Sequence, residues 1–366
     1  MRFLMLNWRD PKNPMAGGAE RVSQRYLKAL QERGHEVCWF ANQFPNGPVD
    51  DVIDGVPVHR GGGRGTSVLA AQKWYRTQPK FDLVIDQHHG IPWYAPWWCK
   101  TNCVAYIHEV LGPIWNSFYN WPLNMIGRWQ EFRTHRFYRN VPFWVPSNST
   151  KSELEARGVG SVHMFPNGID TIPLHQLPPK PLGSPIRLIT VSRLANNKRV
   201  HHAVELVDLL KKKGNRVELT VVGGGECEKQ IRELIAKLEL HDAVHLRGRL
   251  SESQKNHLLA EAHFLVHPSV REGWGLNVIE ANAMGTPALV YPVSGLVDST
   301  VAGVTGLIAK KETPAALAAE LDVVLKNKQA YDGLRENAWK RSFEFQWDRV
   351  LPGACEWLEQ QASRSR

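Results

Sequence analysis

The stretch from His263 to Val290, HFLVHPSVREGWGLNVIEANAMGTPALV, limits the possible folds of this chain more than any other. It begins with a short apolar run, which predicts a buried strand of a parallel sheet. A loop with two glycines follows, and apolar residues recur at helical spacing from Leu276 until Gly285 and Pro287 end the helix. A second apolar run starts at Ala288. This order of strand, glycine loop, helix and strand is typical of doubly wound α/β sheets.

The entry to this helix has the chemistry of a ligand site. The first turn of a helix offers unpaired N–H groups and a partial positive charge, so it favours phosphate-like anions. Gly273 and Gly275 let a ligand approach the backbone closely. Glu272 and Glu280 frame the turn, and carboxylates suit hydroxyl groups rather than phosphates. The pattern indicates a cradle for a nucleotide sugar, although the spacing alone fits two solvated carboxylates equally well.

Length and composition predict an ordinary globular protein with two domains. The chain has 366 residues, of which 43% are hydrophobic and 22% charged, and one typical core needs only about 100–200 residues. No apolar run reaches the ~18 residues of a membrane-spanning helix. The apolar run at 2–7 ends in charge, so we expect a first strand there rather than a signal peptide. Five scattered cysteines disfavour a disulfide framework and favour a reduced, cytoplasmic location.

Two alternating series of strands and helices lie on either side of a proline-rich segment at 174–185. Each series begins with an apolar strand, the first at 2–7 and the second at 186–191. The sequence therefore predicts two Rossmann-like, doubly wound domains, 1–175 and 176–344, that face each other across a cleft. An amphipathic segment at about 345–366 is expected to pack back onto the first domain.

Two cations follow the first strand of the second series. Arg193 and Lys198 lie five positions apart at the carboxyl end of a predicted strand, where open parallel sheets bind their ligands. Arginine offers a planar fork and lysine a point charge, and both suit a diphosphate. Both residues could instead be solvated surface cations, and for an arginine taken alone that is the better explanation.

Together these elements resemble the retaining glycosyltransferases of family 4, which have the two-domain GT-B architecture. The resemblance covers nearly the whole chain, and its most specific part is the Glu-x7-Glu element from Glu272 to Glu280. The other matching motifs are Arg193 with Lys198, PNGID at 166–170, GGAE at 17–20, GGG at 223–225, and His108 after a predicted strand. Three positions depart from the family pattern, namely Trp274, Arg199 and Asn282, and we expect Trp274 to alter the fit of the donor sugar.

The resemblance implies a role for each matching residue of the second domain. Arg193 and Lys198 would hold the donor pyrophosphate, Glu280 would accept hydrogen bonds from the ribose hydroxyls, and Glu272 would hold the donor sugar. Five consecutive residues would line that sugar with their backbone: Gly273, Trp274, Gly275, Leu276 and Asn277.

Further roles follow by resemblance for five other residues. Gly17 and Gly18 would close over the phosphates from the opposite domain, and His108 would lie under the transferred sugar. Leu250 and Lys255 stand where this family usually reads the edge of the nucleobase. Without the resemblance, His108 is equally well explained as a core histidine.

The chemistry that the resemblance implies is retaining and independent of metal ions. Breaking the bond from sugar to phosphate builds negative charge on the leaving diphosphate, which Arg193, Lys198 and the helix dipole would stabilise. No Asp-x-Asp motif stands at a strand end, so we expect no metal and no other cofactor. A catalytic set of His108, Glu272, Arg193 and Lys198 is expected, with a UDP-sugar favoured as donor and a GDP-sugar next.

Residues 91–144 hold seven of the fourteen tryptophans, interleaved with arginines. Aromatic and basic side chains suit the interface of a membrane, and a glycan or lipid-linked acceptor in polysaccharide or glycolipid synthesis fits such a segment. We therefore expect a cytoplasmic protein that is peripheral on the inner face of the cell membrane and binds its anionic surface. A tryptophan-rich core with a few sugar-stacking rings explains the same residues equally well.

Two other functions are compatible with parts of the sequence. A nucleotide-sugar epimerase or hydrolase on the same scaffold would turn over the donor without an acceptor. The second is a basic nucleic-acid-binding protein, suggested only by the net charge of +9, which favours anionic partners in general. No nucleic-acid-binding signature is present, so no nucleic-acid partner is expected. The sequence does not indicate an oligomeric state.

Overall fold

A computed structural model describes residues 1–63 and 65–364, without the side chain of Lys328. The chain divides into two compact units. The first comprises 1–115, 119–168 and the chain from Asp348 onward, and the second comprises 116–118 and 169–347. The division thus falls at 168/169, where the sequence predicts it at 175/176. Within the described part of the chain, no helix is both long and apolar enough to cross a membrane.

The first unit is built on an eight-stranded sheet. Its strands lie in the order β3-β4-β2-β1-β5-β6-β7-β8, and every neighbouring pair is parallel except β3 with β4. From residue 2 to residue 164, the elements in chain order are β1 Arg2–Leu6, α1 Gly18–Glu32, β2 Glu36–Ala41, β3 Asp50–Ile53, β4 Val56–Arg60, α2 Ser67–Tyr75, β5 Leu83–Gln87, α3 Ala95–Trp98, β6 Asn102–Tyr106, α4 Trp115–Phe118, α5 Leu123–Phe137, β7 Phe143–Val145, α6 Asn148–Ala156 and β8 Val162–Met164. All of α4 except its first residue is grouped with the second unit.

The central strands of this sheet are buried and mostly apolar because helices cover both faces of a parallel sheet. All five residues of β5 are buried, and four of the five in β1 are. The sequence places Pro57 in a short or edge strand. In the structure β4 has neighbours on both sides, and the edge is the unpredicted strand β3, whose two aspartates make it look like a loop.

A buried ion pair fixes the long loop between β1 and α1. Arg60, at the end of β4, donates from Nε and Nη2 to the two carboxylate oxygens of Asp10 at 2.6 and 2.9 Å. Both side chains are completely buried. Since a buried charge needs a partner of opposite charge, this pair holds the loop that leads to Gly17 and Gly18 in one conformation.

The second unit is a six-stranded, entirely parallel sheet in the order β11-β10-β9-β12-β13-β14. Its elements are β9 Ile186–Val191, α7 Val200–Lys212, β10 Val217–Val222, α8 Glu228–Lys237, β11 Val244–Gly248, α9 Glu252–Glu261, β12 Phe264–His267, α10 Leu276–Ala283, β13 Ala288–Val290, α11 Leu296–Ser299, β14 Gly306–Ile308, α12 Pro314–Leu325 and α13 Lys328–Ser342. The final helix, α14 Trp347–Ala362, follows.

The strand order of the second unit reverses between β9 and β12. The chain winds outward from β9 to β11 in one direction and from β12 to β14 in the other. At the carboxyl ends of β9 and β12, the chain therefore continues toward opposite edges of the sheet. Such a reversal leaves a crevice, which is where open α/β sheets bind ligands. This is the doubly wound topology that the sequence predicts.

The proline-rich segment at 174–185 packs against the second unit. The Lys180 ammonium donates to the carbonyl oxygen of Ala262 and to Oγ1 of Thr286, both at 2.6 Å. Trp339 Nε1 donates to the carbonyl oxygen of Leu174 at 2.8 Å. These contacts between distant parts of the chain explain why the division falls before this segment.

Most of α14 belongs to the first unit, although it follows the second unit in the chain. Glu359 accepts from Arg33 Nε and Nη2 at 2.7 and 2.8 Å and contacts His35 Nε2 at 2.8 Å. Asn102 Nδ2 donates to the carbonyl oxygen of Ala362 at 3.1 Å. The last helix therefore packs on the β1–β2 side and beside β6 of the first unit.

Replacing Arg60 by methionine should destabilise the first unit strongly, because it leaves the Asp10 carboxylate buried without its cation. We expect a loss of about 3–5 kcal/mol in the free energy of unfolding, measured by urea denaturation. Lys12→Met is the matched control, since Lys12 pairs with Asp51 on the surface, and it should cost less than about 1 kcal/mol. Equal effects of the two substitutions would contradict this account of the loop.

Candidate functional site

The loops after β9 and β12 are tied together at the reversal point of the second sheet. The two strands are paired, with Leu188 opposite Phe264, so their carboxyl ends lie at one edge. The carbonyl oxygen of Asn197 accepts from Val270 N at 2.8 Å and from Ser269 Oγ at 3.1 Å. This cross-link brings Lys198 of the first loop beside Glu272 of the second.

An ion pair lies at the junction of these loops. Lys198 Nζ donates to Glu272 Oε1 at 2.5 Å, and His267 Nε2 donates to the same oxygen at 2.8 Å. Burial alone raises the pKa of the Glu272 carboxyl, but Lys198 and His267 outweigh burial and hold that pKa well below its ordinary value. Glu272 is therefore a carboxylate throughout the physiological pH range.

His267 is a site residue that the sequence analysis missed. It is the last residue of β12 and is buried, and its Nδ1 accepts from Asn277 Nδ2 at 2.9 Å. The same amide donates to the carbonyl oxygen of Val191 at the end of β9, also at 2.9 Å. Because Nδ1 accepts, Nε2 carries the proton and points at Glu272. The sequence feature that could have predicted His267 is its position as a polar residue at the end of an apolar strand.

The glycine loop starts α10 in the way that the sequence predicts. Gly275 has φ of 91° and immediately precedes Leu276, a conformation that side-chain-bearing residues rarely adopt. Gly273 and Leu276 are half-buried beside it. Trp274 behaves differently from the expectation, because its ring is buried in the core and packs edge-on against Phe345 at 5.2 Å. Only the backbone of Trp274 remains available to a ligand, so its ring does not shape the sugar fit directly.

Glu280, the second acid of the Glu-x7-Glu element, forms an ion pair with Lys255. Lys255 Nζ donates to Glu280 Oε2 at 2.8 Å and to Glu252 Oε2 at 2.6 Å. Burial lowers the pKa of Lys255, but the two carboxylates outweigh burial and raise that pKa above its ordinary value. Leu250 lies half-buried just before α9. The structure thus groups Glu280 with Lys255, two residues that the resemblance assigns to the nucleoside.

Arg193 is exposed at the start of the β9 loop, which the glycine motif at 223–225 supports. A Cβ on Gly223, whose φ is 131°, would lie 1.9 Å from the carbonyl oxygen of Ser192. A Cβ on Gly225 would lie 2.4 Å from the carbonyl oxygen of Leu194. These two glycines let the loop after β10 pack directly on the backbone on either side of Arg193.

In the first unit, Gln87 connects the ends of three elements. Its Oε1 accepts from Asn7 Nδ2 at 3.0 Å and from Ser23 Oγ at 2.6 Å, and its Nε2 donates to His108 Nε2 at 3.0 Å. Burial lowers the pKa of His108 to about 4, so the ring is neutral near pH 7. With Nε2 accepting, the proton lies on Nδ1. The sequence analysis singled out His108 but missed Gln87.

The predicted glycine pair lies at the start of α1. Gly17 precedes the helix and Gly18 is its first residue. The Gly17 N–H donates to Glu20 Oε2 at 2.7 Å, and Glu20 is buried. The Glu20 carboxylate therefore satisfies the Gly17 N–H, and it also offsets the positive end of the helix dipole.

Within residues 1–63 and 65–364, no group of three or more histidine, cysteine, aspartate or glutamate side chains is placed to hold a metal ion. Lys198, Glu272 and the exposed Arg193 are charged residues of the two loops at the reversal point. This arrangement offers cations and helix N–H groups to an anion, with carboxylates beside them.

Two family profiles match most of the chain. "Glycosyltransferase Family 4" matches residues 16–172, and "Glycosyl transferases group 1" matches residues 178–341. MMP alpha-(1->4)-mannosyltransferase of Mycolicibacterium hassiacum is 31% identical over 304 residues, which are 80% of this chain and 67% of that protein. The chain belongs to the group 1, family 4 glycosyltransferases.

This glycosyltransferase also matches curated proteins over shorter stretches. A glycogen synthase of Mycobacterium tuberculosis is 29% identical over 210 residues, covering 57% of this chain and 51% of that protein. The amylovoran biosynthesis glycosyltransferase AmsK of Erwinia amylovora is 32% identical over 146 residues, covering 38% and 36%. The matched region thus spans about half of these relatives or less.

Solved structures show the same fold. Sucrose-phosphate synthase (tll1590) from Thermosynechococcus elongatus aligns with a TM-score of 0.81 at 18% identity, covering 100% of both chains. Anabaena Alr3699/HepE in complex with UDP-glucose aligns with a TM-score of 0.74 at 18% identity, covering 98% of this chain and 100% of that chain. With its two doubly wound units, the glycosyltransferase has the GT-B fold that the sequence predicts.

Gly223→Ala should displace the loop that carries Arg193. The new Cβ would collide with the Ser192 carbonyl, and alanine at φ of 131° is itself strained, so we expect a loss of at least ~1–3 kcal/mol in unfolding free energy. Gly224→Ala is the matched control, because the nearest atom to a Cβ there is Arg249 Cγ at 3.9 Å, an ordinary van der Waals contact. Calorimetric unfolding measures both variants, and an equally small effect of both would refute the proposed support of the loop.

The proton of His108 should be found on Nδ1 in long-range ¹H–¹⁵N NMR spectra of the parent protein. Gln87→Glu places an acid against Nε2, stabilises the imidazolium, and should raise the pKa of His108 from about 4. Gln78→Glu, on another element, is the control and should leave that pKa unchanged. A proton on Nε2 in the parent protein would contradict the orientation of the Gln87 amide.

Proposed function

We propose that this glycosyltransferase moves a sugar from a nucleotide diphosphate sugar to a hydroxyl of a glycan or a lipid-linked acceptor. A UDP-sugar is favoured as donor, since the similar HepE is described in complex with UDP-glucose, and a GDP-sugar is next. The observation that carries the proposal is the Lys198–Glu272 pair at the reversal point of the second sheet, with Arg193 on the same loop as Lys198. Anion-binding and hydroxyl-binding groups stand side by side there.

Donor binding begins with an exchange of partners at Lys198. The Lys198 ammonium lies 2.5 Å from Glu272 Oε1, and a diphosphate carries more negative charge than a single carboxylate. In the proposal, the diphosphate takes Lys198 and adds Arg193 and the first N–H groups of α10. Glu272 keeps the hydrogen bond from His267 and becomes free to accept from a hydroxyl of the donor sugar.

The nucleoside is proposed to bind at Glu280, the second acid of the Glu-x7-Glu element. Glu280 is half-buried and uses Oε2 for Lys255, which leaves its other oxygen for the ribose hydroxyls. Lys255 is held by two carboxylates and is buried, so its role is to orient Glu280. Leu250 is proposed to lie beside the base.

The transfer step is proposed to retain the anomeric configuration. The bond between the anomeric carbon and the leaving phosphate oxygen breaks as the acceptor oxygen attacks from the same face. The acceptor proton passes to the leaving phosphate, so no enzyme nucleophile takes part. Negative charge develops on the diphosphate, and Arg193 and Lys198 stabilise it where it forms. They supply the neutralisation that a divalent cation would otherwise provide, so the proposal needs no metal.

His108 is proposed to contact the transferred sugar through its Nδ1–H, which points away from Gln87. A neutral imidazole is suited to this task because it donates a hydrogen bond without adding a charge. Its lowered pKa keeps it neutral across the physiological range.

The acceptor is proposed to belong to polysaccharide or glycolipid synthesis. The names of two relatives, a glycogen synthase and an amylovoran biosynthesis glycosyltransferase, support a glycan product. A lipid-linked acceptor would place the enzyme in the cytoplasm at the inner face of the cell membrane.

Arg193→Ala should slow the transfer by about 10²–10³-fold, because it removes one group that stabilises the leaving diphosphate. Release of nucleoside diphosphate from the donor in the presence of acceptor measures the rate. Lys211→Ala is the control, since Lys211 pairs with Asp242 on the surface, and it should leave the rate unchanged. An Arg193→Ala enzyme as fast as the parent would overturn the assignment.

The donor can be identified with a melting-temperature panel of UDP, GDP, ADP, TDP and their sugars. A true donor stabilises the folded protein by ~2.7 kcal/mol at about a hundred times its dissociation constant. We expect the largest shift with a UDP-sugar. Shifts of equal size with every nucleotide would show that the site reads only the diphosphate.

A further inference from the structure

Helix α5 of the first unit buries small and polar residues and exposes apolar ones, which is the reverse of an ordinary surface helix. Its protein-facing side carries Gly127, Glu131, Thr134 and His135, all of them buried. Its solvent side carries most of its large apolar residues. A soluble helix normally buries its apolar face and exposes its polar face, so this helix has an apolar face without a partner.

The apolar face is broad and continuous. Seven large side chains from the end of the preceding turn and from α5 are exposed: Trp121, Leu123, Met125, Ile126, Trp129, Phe132 and Phe137. Trp121 is 80% exposed and Trp129 is 62% exposed. Within the helix, residues 125, 126, 129, 132 and 137 recur at the spacing of one face, opposite the buried side. Contiguous exposed apolar surface of this kind marks an interaction site.

Arginines are placed within this face and at its border. Arg128, Arg133 and Arg136 lie on α5 and Arg139 just follows it, and all four are exposed. The Arg133 guanidinium lies 5.4 Å from the ring centre of Trp129 and 5.8 Å from that of Phe137. Long cationic side chains on an apolar surface can lie along it and keep their charged ends in water or among phosphates.

Exposed acids are missing from the same stretch. Between 110 and 152 the sequence has one carboxylate, Glu131. It is buried and accepts from the backbone N–H groups of Leu111 and Gly112 at 2.6 and 3.0 Å. The outward face of α5 is therefore purely apolar and cationic. Its charge complements an anionic surface, and its aromatic residues suit the boundary between lipid headgroups and acyl chains.

We propose that the outward face of α5, with Trp121 and Leu123, docks on an anionic lipid surface. The apolar side chains enter the headgroup boundary, and the arginines pair with lipid phosphates. The docking rests on the proposed function in one respect, because it brings the enzyme to a surface in which a lipid-linked acceptor lies. A protein partner would be expected to meet four arginines with acids of its own, whereas an anionic bilayer supplies phosphate groups at every position.

Vesicle flotation tests the proposal on the full chain. The parent protein should float with phosphatidylcholine vesicles that contain phosphatidylglycerol, and the bound fraction should fall as salt is raised. A double substitution, Trp129→Glu with Phe132→Glu, should lower partitioning at least about tenfold, because it removes two membrane-entering rings and adds repulsive charge. Arg133→Glu with Arg136→Glu is a second variant that leaves the rings in place and should also lower it.

Leu69→Glu is the matched control, since Leu69 is an equally exposed apolar residue on α2 of the same unit, and it should float like the parent. The melting-temperature shift with UDP is measured for every variant, which separates loss of docking from loss of folding or of donor binding. The proposal is overturned if the parent protein stays with the soluble fraction at low salt. It is equally overturned if both α5 variants float like the parent, or if the face instead forms a dimer that Trp129→Glu disrupts in sedimentation.

Discussion

The ion pair between Lys198 and Glu272 joins the two loops on which the second unit's chemistry depends. The two residues come from distant segments of the chain, Lys198 after β9 and Glu272 after β12. The pair forms because β9 and β12 are neighbours in the sheet and the chain leaves them in opposite directions. The loop after β9 packs against Gly223 at its Ser192 carbonyl. The Asn197 carbonyl of the same loop accepts a hydrogen bond from the loop after β12. A cation and a carboxylate are thus in contact at this point, and in the proposed function a ligand with both phosphate and hydroxyl groups would separate them.

Two histidines are oriented by amide side chains in the same manner, one in each unit. Asn277 donates to Nδ1 of His267, which directs the Nε2 proton at Glu272. Gln87 donates to Nε2 of His108, which leaves the proton on Nδ1. Because the amide donates to one ring nitrogen, each ring is held in one orientation with its other N–H directed away from the amide. For His108, burial also lowers the pKa to about 4, so this ring is a neutral donor near pH 7.

The sequence predicts what depends on local pattern. Apolar runs, helix-ending glycines and the start of α10 at Leu276 follow from periodicity and backbone preference, and the family resemblance supplied the Glu-x7-Glu element. What it missed depends on distant contacts. β3 is polar at its start and becomes a strand only by pairing with β4, and the ring of Trp274 is directed by Phe345 rather than by its neighbours in the chain. Gln87 showed no pattern, because its partners come from three other segments.

The central claim is that the loops after β9 and β12 bind the diphosphate of a nucleotide sugar. A crystal structure of the protein with UDP tests it most directly. The account predicts density for the diphosphate against Arg193 and the first turn of α10, with Lys198 Nζ moved from Glu272 onto a phosphate oxygen. Density for the nucleotide elsewhere, with the Lys198–Glu272 contact still in place, would contradict it.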